Sequence, residues 1–393
     1  MSFSIRLALA LSTCLAALAG CAPPGVTPSA TQAPSAAGAA PEIVDDRQLL
    51  VLTAGAPAPL IARAEALGYV LQRTDALAGI DETLISLRIP AGRTIPQAIA
   101  EIEALEPGVT AGANHAFRLQ QAAAASPGTG RDFAGAMIGW PAAGCAAARQ
   151  VGLIDAGIGA QSGLLASGAV QQRRFRASEA PPATDHGTLM AELLIGEGRL
   201  SRGRLLSADV VDPDRGAGDV AGVDAILRAV DWMAQSGVDL VNVSLAGPYN
   251  KLIDRGLGKA ASEGMVLVAA AGNSGPASPP RYPAALPFVL AVTAVDRDAE
   301  VYPMAVHGSY LDLAAPGVDI VVRSGGRMRI LSGTSAAAPY VTAAIAADPA
   351  LGQGVPVAAV RRHLARAATD LGPRGKDDIF GAGLVHAPAG CRS

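Results

Sequence analysis

Four polar residues stand where strand-like segments of the sequence end or helix-like segments begin. Asp155 and Asn273 each follow a short apolar run, whereas His186 and Ser335 each precede or open a helical pattern. Each has a glycine within two residues, which lets the backbone and a ligand approach closely. In open α/β sheets the carboxyl ends of the strands form the edge that binds ligands. We therefore expect these four side chains to meet at one site.

These residue types are those that acyl transfer through a serine requires. A serine hydroxyl attacks poorly unless a base removes its proton, and neutral imidazole suits that task at about pH 7. A carboxylate holds the imidazole in the correct tautomer and stabilises the imidazolium. The oxyanion needs hydrogen-bond donors, which the Asn273 amide and the backbone N–H of Ser335 could supply. The chemistry predicted is hydrolysis through an acyl-enzyme.

Apolar strand patterns alternate with helical patterns from about residue 137 to the end of the chain, residue 393. Such alternation predicts an α/β fold with a doubly wound, mainly parallel sheet. Half of the residues are hydrophobic and only 4% are aromatic, which suits a buried sheet covered by Ala-rich helices. The strand patterns are Val151–Ile154, Leu205–Val211, Val238–Leu245, Met265–Ala270 and Val289–Val295, and the clearest helical patterns are Val220–Gln235 and Lys251–Glu263.

A smaller α+β domain is predicted at residues 42–121. Its pattern is strand, helix, strand, strand, helix, strand, the order of the split βαβ or ferredoxin-like motif. The last strand opens at Val109 and runs towards Phe117. An Ala-rich linker, residues 122–136, joins this domain to the larger domain at residues 137–393.

The first residues are those of an export signal. Residues 1–21 contain Arg6, an apolar run and the sequence Leu-Ala-Gly-Cys ending at Cys21, which looks like the lipobox of bacterial lipoproteins. We expect Cys21 to be lipidated, the alternative being an ordinary secretory signal with an incidental cysteine. The uncharged residues 22–41 would form a flexible tether. Ala22 after the lipidated cysteine favours an outer-membrane location, by resemblance to Gram-negative lipoproteins.

Two of the four cysteines remain once Cys14 leaves with the signal and Cys21 is modified. Cys145 and Cys391 are then an even pair in an exported, oxidising context, so a disulfide between them is expected. Two independent thiols are the alternative. No metal site and no cofactor are expected. The net charge of −3, with scattered Lys and Arg, argues against nucleic acid as a partner.

The four segments resemble the signature segments of the subtilisin-like serine peptidases (subtilase, S8), in that family's chain order Asp, His, Asn, Ser. The resemblance extends to the segment Asn242–Gly247 and to Gly381–Val385. It implies a subtilisin-type fold and a serine endopeptidase that cleaves proteins or peptides. Carried over to this sequence, Asp155, His186 and Ser335 would be the triad and Asn273 the oxyanion donor.

The resemblance also implies a substrate-binding cleft. One segment would pair with an extended substrate as an added strand, and it comprises Ser244, Leu245, Ala246 and Gly247. A second would line the specificity pocket, and it comprises Ala270, Ala271 and Gly272. The small side chains of the second segment leave room for a fairly large apolar residue before the scissile bond.

The domain at residues 42–121 is similar to the family's propeptide domain. The resemblance implies that it assists folding and inhibits the enzyme intramolecularly, with residues 113–121 as the tail that enters the cleft. Self-processing is expected between Leu119 and Gly135. Two residues depart from the family pattern, Ala156 where Ser or Thr is usual and Asp185 where Gly is commoner. Neither removes a catalytic group, so tuning is expected and not loss of activity.

Two other functions are alternatives. An α/β-hydrolase esterase needs Gly-x-Ser-x-Gly and the order Ser, Asp, His, and this chain has neither. A non-catalytic peptide-binding protein with the same fold is the second alternative, and the presence of every catalytic group argues against it. The other histidines, His115 among them, are expected to be structural.

Overall fold

The computed structural model describes residues 42–119, 132–213 and 219–391 of the chain. The expected signal peptide, the tether and most of the expected linker lie outside these residues, as does Cys21. Within the described residues no helix has the length and apolar character needed to cross a bilayer.

The N-terminal part is a small antiparallel sheet covered by two helices. Its strands are hydrogen-bonded in the order β2-β3-β1-β4, with β1 in antiparallel register against both β3 and β4. The apolar residues of β1 alternate between two buried faces, one of which packs on the helices. Its elements are β1 (Gln48–Thr53), α1 (Pro57–Ala66), β2 (Val70–Leu77), β3 (Glu82–Arg88), α2 (Ile95–Glu103) and β4 (Thr110–Ala113).

The strand predicted from Val109 towards Phe117 is divided in the structure. β4 ends at Ala113, and a separate strand, β5 (Ala116–Leu119), belongs to another sheet. The intervening Asn114 donates hydrogen bonds to Gln48 and to Asp224 of the larger part. A periodicity of two reports an extended backbone and carries no information about which strand is its neighbour. The change of partner was therefore invisible in the sequence.

The larger part has a short helix near its start and is described as far as Cys391. Its elements in chain order are α3 (Ala134–Met137), β6 (Cys145–Ala146), β7 (Val151–Asp155), β8 (Val170–Arg174), α4 (Asp185–Ile195), β9 (Leu200–Ser201), β10 (Leu205–Asp209), β11 (Val211–Asp212), β12 (Val220–Gly222), α5 (Val223–Gln235), β13 (Leu240–Val243), β14 (Leu245–Ala246), α6 (Lys251–Ser262), β15 (Val266–Ala270), β16 (Val289–Val295), β17 (Leu311–Pro316), β18 (Ile320–Ser324), β19 (Arg327–Leu331), α7 (Thr334–Ala347) and α8 (Val357–Ala367).

A parallel sheet of seven strands forms the centre of this part of the described chain, in the order β17-β16-β15-β13-β7-β10-β8. Every neighbouring pair is parallel. One face packs against α4 and α7 and the other against α5 and α6. The α/β fold class expected from the sequence is confirmed. The strand order reverses on either side of β7, so Asp155 lies at the switch point where such sheets bind ligands.

Several elements of the larger part were not anticipated. The edge strand β8 has the sequence VQQRR and is mostly exposed, so its pattern is that of a loop. The antiparallel hairpin of β18 and β19 follows the sheet and precedes α7. The short helix α3 overlaps the end of the segment expected to be linker. The boundaries proposed for the domains stay predictions.

Cys145 and Cys391 are joined by a disulfide, with their α-carbons 5.5 Å apart. The bond ties β6, near the start of the larger part, to the last described turn of the chain. It therefore closes most of the larger part into one covalent loop.

Candidate active site

The carboxylate and the imidazole expected to act together are in direct contact. Asp155 is the last residue of β7 and is fully buried. Its Oδ1 accepts a hydrogen bond from the Ala156 N–H at 2.7 Å and lies 2.7 Å from Nδ1 of His186. Because a carboxylate only accepts, Nδ1 carries the proton, which leaves Nε2 of a neutral ring as an acceptor. Nε2 is buried and has no hydrogen-bond partner among the described residues.

A glycine makes this contact possible. His186 and Gly187 lie in the first turn of α4, which packs against the loop that follows β7. A β-carbon at Gly187 would lie 2.0 Å from the Ala156 carbonyl oxygen. Any larger residue at position 187 would therefore push α4 away from Asp155 and lengthen the carboxylate–imidazole distance.

Ala156, which stands where Ser or Thr is usual in the family that the sequence resembles, has a local consequence. The second carboxylate oxygen of Asp155, Oδ2, is buried and has no hydrogen-bond partner in the described part of the chain. Ala156 contributes its backbone N–H to Oδ1 and has no hydroxyl to offer to either oxygen. The carboxylate is thus held by fewer donors than a Ser or Thr at this position would allow.

A second carboxylate lies beside Asp155. Asp209 ends β10 and is the register partner of Asp155 across the sheet. Burial raises the pKa of Asp209, and the buried guanidinium of Arg176, with Nε 2.9 Å from Oδ2, opposes that rise. Arg176 thus offsets the negative charge of Asp209 next to the candidate triad.

Ser335 and His186 line the same cavity. The helix α7 begins at Thr334, after Gly333 with φ of +141°, so Ser335 lies in the first turn, where N–H groups have no partner within the helix. Ser335 is only 2% exposed. The cavity has a volume of about 370 Å³, and Leu119 of β5 and Leu189 of α4 are also among its lining residues.

Asn273 is bound to the residue that precedes Ser335. Its Oδ1 accepts hydrogen bonds from the N–H and the hydroxyl of Thr334, each at 3.0 Å. Because a backbone N–H can only donate, the amide oxygen must face Thr334 and the NH₂ group must face away from it. Thr334 also accepts a hydrogen bond from the N–H of Gly272 at 3.1 Å. The segment before Asn273 is therefore fixed to the start of α7.

The expected substrate segment is covered by the tail of the N-terminal domain. The strand β5 lies between β12 and β14 and is antiparallel to both. Leu119 is opposite Leu245, and Arg118 is opposite Ala246. Phe117 is fully buried. The chain thus supplies its own extended strand to the edge that the sequence assigned to substrate, next to the cavity of His186 and Ser335.

Charged and polar contacts join the N-terminal sheet to the helices α5 and α6. Arg255 of α6 donates two hydrogen bonds, each 2.8 Å, to the carboxylate of Glu82, whose side chain is fully buried. The Gly79 N–H donates to Asp231 of α5 at 2.7 Å. Burial raises the pKa of Asp231, and the hydrogen bond from Gly79 opposes that rise. These contacts align the domain so that β5 reaches the cleft.

A buried polar network that the sequence did not reveal connects the substrate segment to the nucleophile helix. Nδ2 of Asn242 donates to the hydroxyl of Ser244 at 2.9 Å, and the hydroxyl of Thr342 donates to Oδ1 of Asn242 at 3.0 Å. All three residues are fully buried. Asn242 and Ser244 share one face of the strand predicted at Val238–Leu245, which was the only signal available in the sequence.

No cluster of three or more His, Cys, Asp or Glu side chains with the geometry to hold a metal ion occurs in the described ranges. The groups of the candidate site are a buried carboxylate–imidazole pair, a serine on the same cavity and an amide held beside it.

The fold and this group of residues define a subtilisin-type α/β protein. The model of the Subtilase family matches residues 150–383, more than half of the chain. The chain belongs to the subtilase family.

Several known proteins are similar to this chain. It is 33% identical over 179 residues to subtilisin BL of Lederbergia lenta, a match that covers 45% of this chain and 65% of that protein. It is 27% identical over 249 residues to the minor extracellular protease Epr of Bacillus subtilis, covering 61% of this chain and 38% of that protein. The matches thus span less than two thirds of the length of each relative.

The fold is similar to that of fervidolysin from Fervidobacterium pennivorans, described as a keratinolytic enzyme related to subtilisin. The TM-score is 0.71 at 22% sequence identity, and the match covers 90% of this chain and 61% of that chain. At this identity the likeness concerns the fold alone.

Proposed function

We propose that this protein is a serine endopeptidase that cleaves proteins or peptides through an acyl-enzyme. The observation that carries the proposal is the buried 2.7 Å contact between Asp155 and His186, with Nε2 of the ring facing no other described partner and Ser335 on the same cavity wall. Membership of the subtilase family supports the same reaction.

The proposed mechanism assigns one role to each group. Nε2 of His186 takes the proton of the Ser335 hydroxyl as the oxygen attacks the peptide carbonyl, and later gives it to the leaving amine. Asp155 holds the ring through Nδ1 and stabilises the imidazolium. The amide NH₂ of Asn273 and the N–H of Ser335 donate to the oxyanion. Water then attacks the acyl-enzyme, and the same groups act in reverse.

The substrate is proposed to bind as an added strand between β12 and β14. The support is the position of β5, which already forms antiparallel pairs with both. Main-chain hydrogen bonds of this kind align a peptide without regard to its side chains. Residues 244–247 would hold the acyl side of the substrate, and Ala270–Gly272 would border the side chain next to the scissile bond.

The N-terminal domain is proposed to be an intramolecular inhibitor that the enzyme removes itself. While β5 fills the cleft, a substrate strand has no free edge to join. Self-cleavage between Leu119 and Gly135 would release this block. The N-terminus of the accumulated protein, measured by mass spectrometry, tests the proposal. An intact chain that begins at Cys21 and is active would contradict it.

Labelling with a serine-directed fluorophosphonate tests the hydrolase. The wild-type chain is expected to be labelled, and Ser335→Ala is expected not to be. Ser207→Ala is a matched control, because Ser207 is an equally buried serine on β10 whose hydroxyl has no described hydrogen-bond partner. Absence of labelling in the wild type, or labelling that persists in Ser335→Ala, would refute the proposal and favour a non-catalytic peptide-binding protein.

We also propose that the chain is exported and anchored to a bacterial membrane, by preference the outer membrane, through a lipid on Cys21. The support is the sequence alone, since residues 1–41 lie outside those described. Cys21→Ser is expected to abolish incorporation of labelled fatty acid and to release the protein from the membrane fraction. Membrane association that is unchanged in Cys21→Ser would refute the anchor.

A further inference from the structure

An arginine that the sequence analysis did not single out borders the expected specificity pocket. Gly272 has φ of +110°, and a β-carbon there would lie 3.0 Å from Cγ of Arg281 and 3.2 Å from Cγ2 of Val306. The methylene stem of Arg281 thus packs against the backbone next to Asn273. The small residues at positions 270–272 do not leave a purely apolar pocket, because an arginine stands beside them.

The neighbour of Arg281 is joined to the substrate segment. Tyr282 and Gly247 exchange two backbone hydrogen bonds, of 2.8 and 3.0 Å. Gly247 ends the segment that begins at Ser244. Arg281 therefore lies between the two stretches of chain that would border the substrate residue on the acyl side of the scissile bond.

The guanidinium has no described partner. Nε of Arg281 is buried without a hydrogen bond, and no carboxylate of the described residues pairs with the group. Arg176, another arginine at this edge of the central sheet, is paired with Asp209. Buried donors on charged groups are nearly always satisfied, so an unsatisfied one is explained most simply by a ligand that completes it.

We propose that Arg281 selects an acidic residue, Asp or Glu, immediately before the scissile bond. The inference rests on the proposed peptidase function and names its substrate class. The Asn273 amide would bind the carbonyl of that residue, so its side chain would project along residues 270–272 towards Arg281. A carboxylate there supplies the acceptor that the guanidinium lacks, and charge-assisted bonds of this kind are strong and directional. An acidic residue would then occupy the position for which the small side chains alone predict an apolar one.

Matched peptides test this inference on the exported chain, purified in the form in which it accumulates. Three fluorogenic peptides reproduce residues 116–119 and then carry Glu, Gln or Leu before the leaving group. In the wild type, kcat/KM for Glu is expected to exceed that for Gln by about 10- to 100-fold. In Arg281→Gln this ratio should fall to about one. Arg281→Lys, which keeps the charge, should retain a preference for Glu.

A control separates loss of charge in general from loss of this group. Arg362→Gln changes an exposed arginine on α8 and is expected to leave the Glu-to-Gln ratio unchanged. The inference is overturned if the wild type cleaves the Leu peptide as well as the Glu peptide, or if Arg281→Gln leaves the Glu-to-Gln ratio unchanged. In either case, labelling of Ser335 would still support the proposed peptidase function. If no peptide is cleaved and Ser335 is not labelled, the proposed function fails and the inference falls with it.

Discussion

Replacing Thr342 by Val removes one hydroxyl from the buried network at the active site and nearly conserves the side-chain volume. Thr342 lies on α7 about two turns beyond Ser335. Its hydroxyl donates to Oδ1 of Asn242, whose Nδ2 in turn donates to Ser244. The network therefore connects the helix that carries the nucleophile to the strand expected to bind substrate.

The expected cost follows from the group left without a partner. Among the described residues, Thr342 is the donor to Oδ1 of Asn242, so the Val variant leaves that oxygen buried and unpaired. An unpaired buried acceptor costs about 1–3 kcal/mol, and we expect the free energy of unfolding to fall by about 2 kcal/mol. The carbonyl of Ala338, which Thr342 also contacts at 3.1 Å, keeps its ordinary helical bond.

Thr293→Val is the matched control. Thr293 lies on β16 and is as fully buried as Thr342, but its hydroxyl has no hydrogen-bond partner among the described residues. Removing this hydroxyl breaks no bond and ends the burial of an unsatisfied polar group. The free energy of unfolding should therefore be unchanged or should rise by up to about 1 kcal/mol.

Urea unfolding, followed by tryptophan fluorescence, measures both variants. Both are made in the Ser335→Ala background so that unfolded copies are not digested during the experiment. The same Thr-to-Val change is expected to move the midpoint down at position 342 and not at position 293. Equal effects at the two positions, or a Thr342→Val variant within about 0.5 kcal/mol of its parent, would refute the reasoning.

Three further outcomes are expected. Burial lowers the pKa of His115 from 6.5, and the charge of Glu42 opposes that change. Nδ1 of His115 accepts a hydrogen bond from the Asn250 amide. The neutral ring therefore contributes stability above about pH 6.5, and this stability should be lost as the pH falls below that value. Thermal melting of the Ser335→Ala chain at several pH values checks this, since His115→Gln should reduce the loss. Replacing both Cys145 and Cys391 by Ser should lower the free energy of unfolding by about 2–5 kcal/mol. A reductant should lower the free energy of unfolding of the wild type and leave that of the double variant unchanged. Gly187→Ala should reduce peptidase kcat/KM by about 100-fold or more by displacing His186, whereas activity within a few-fold of wild type would contradict the close approach to Ala156.

The position of the N-terminal domain bears on these measurements. Its tail forms the strand β5 inside a sheet of the larger part, and Glu82 is paired with Arg255 in the interface. Unfolding of the unprocessed chain therefore reports both parts together, and the N-terminus of each sample needs to be known. Comparisons between variants hold when both carry the same processed or unprocessed form.

Much of the fold followed from local patterns. The alternation of strands and helices predicted the parallel sheet because buried strands and amphipathic helices differ in period and length. Asp155, His186, Asn273 and Ser335 could be singled out because each chemical role requires one residue type, and each residue stands at a strand end or a helix start. The Asp155–His186 contact followed from a strand that ends, and a helix that begins, at the same edge of the sheet.

Other features were decided by the tertiary structure alone. The sequence showed β4 and β5 as one strand, and only the packed chain shows that the second half joins the cleft. In the sequence, Thr342 is not distinguished from other helix residues and Arg281 is not distinguished from other loop residues. Only the folded chain brings Thr342 into contact with Asn242, and the methylene stem of Arg281 against Gly272. Local patterns record backbone conformation and which face is buried. Which side chains touch across the chain depends on how distant elements pack, and no local pattern contains that information.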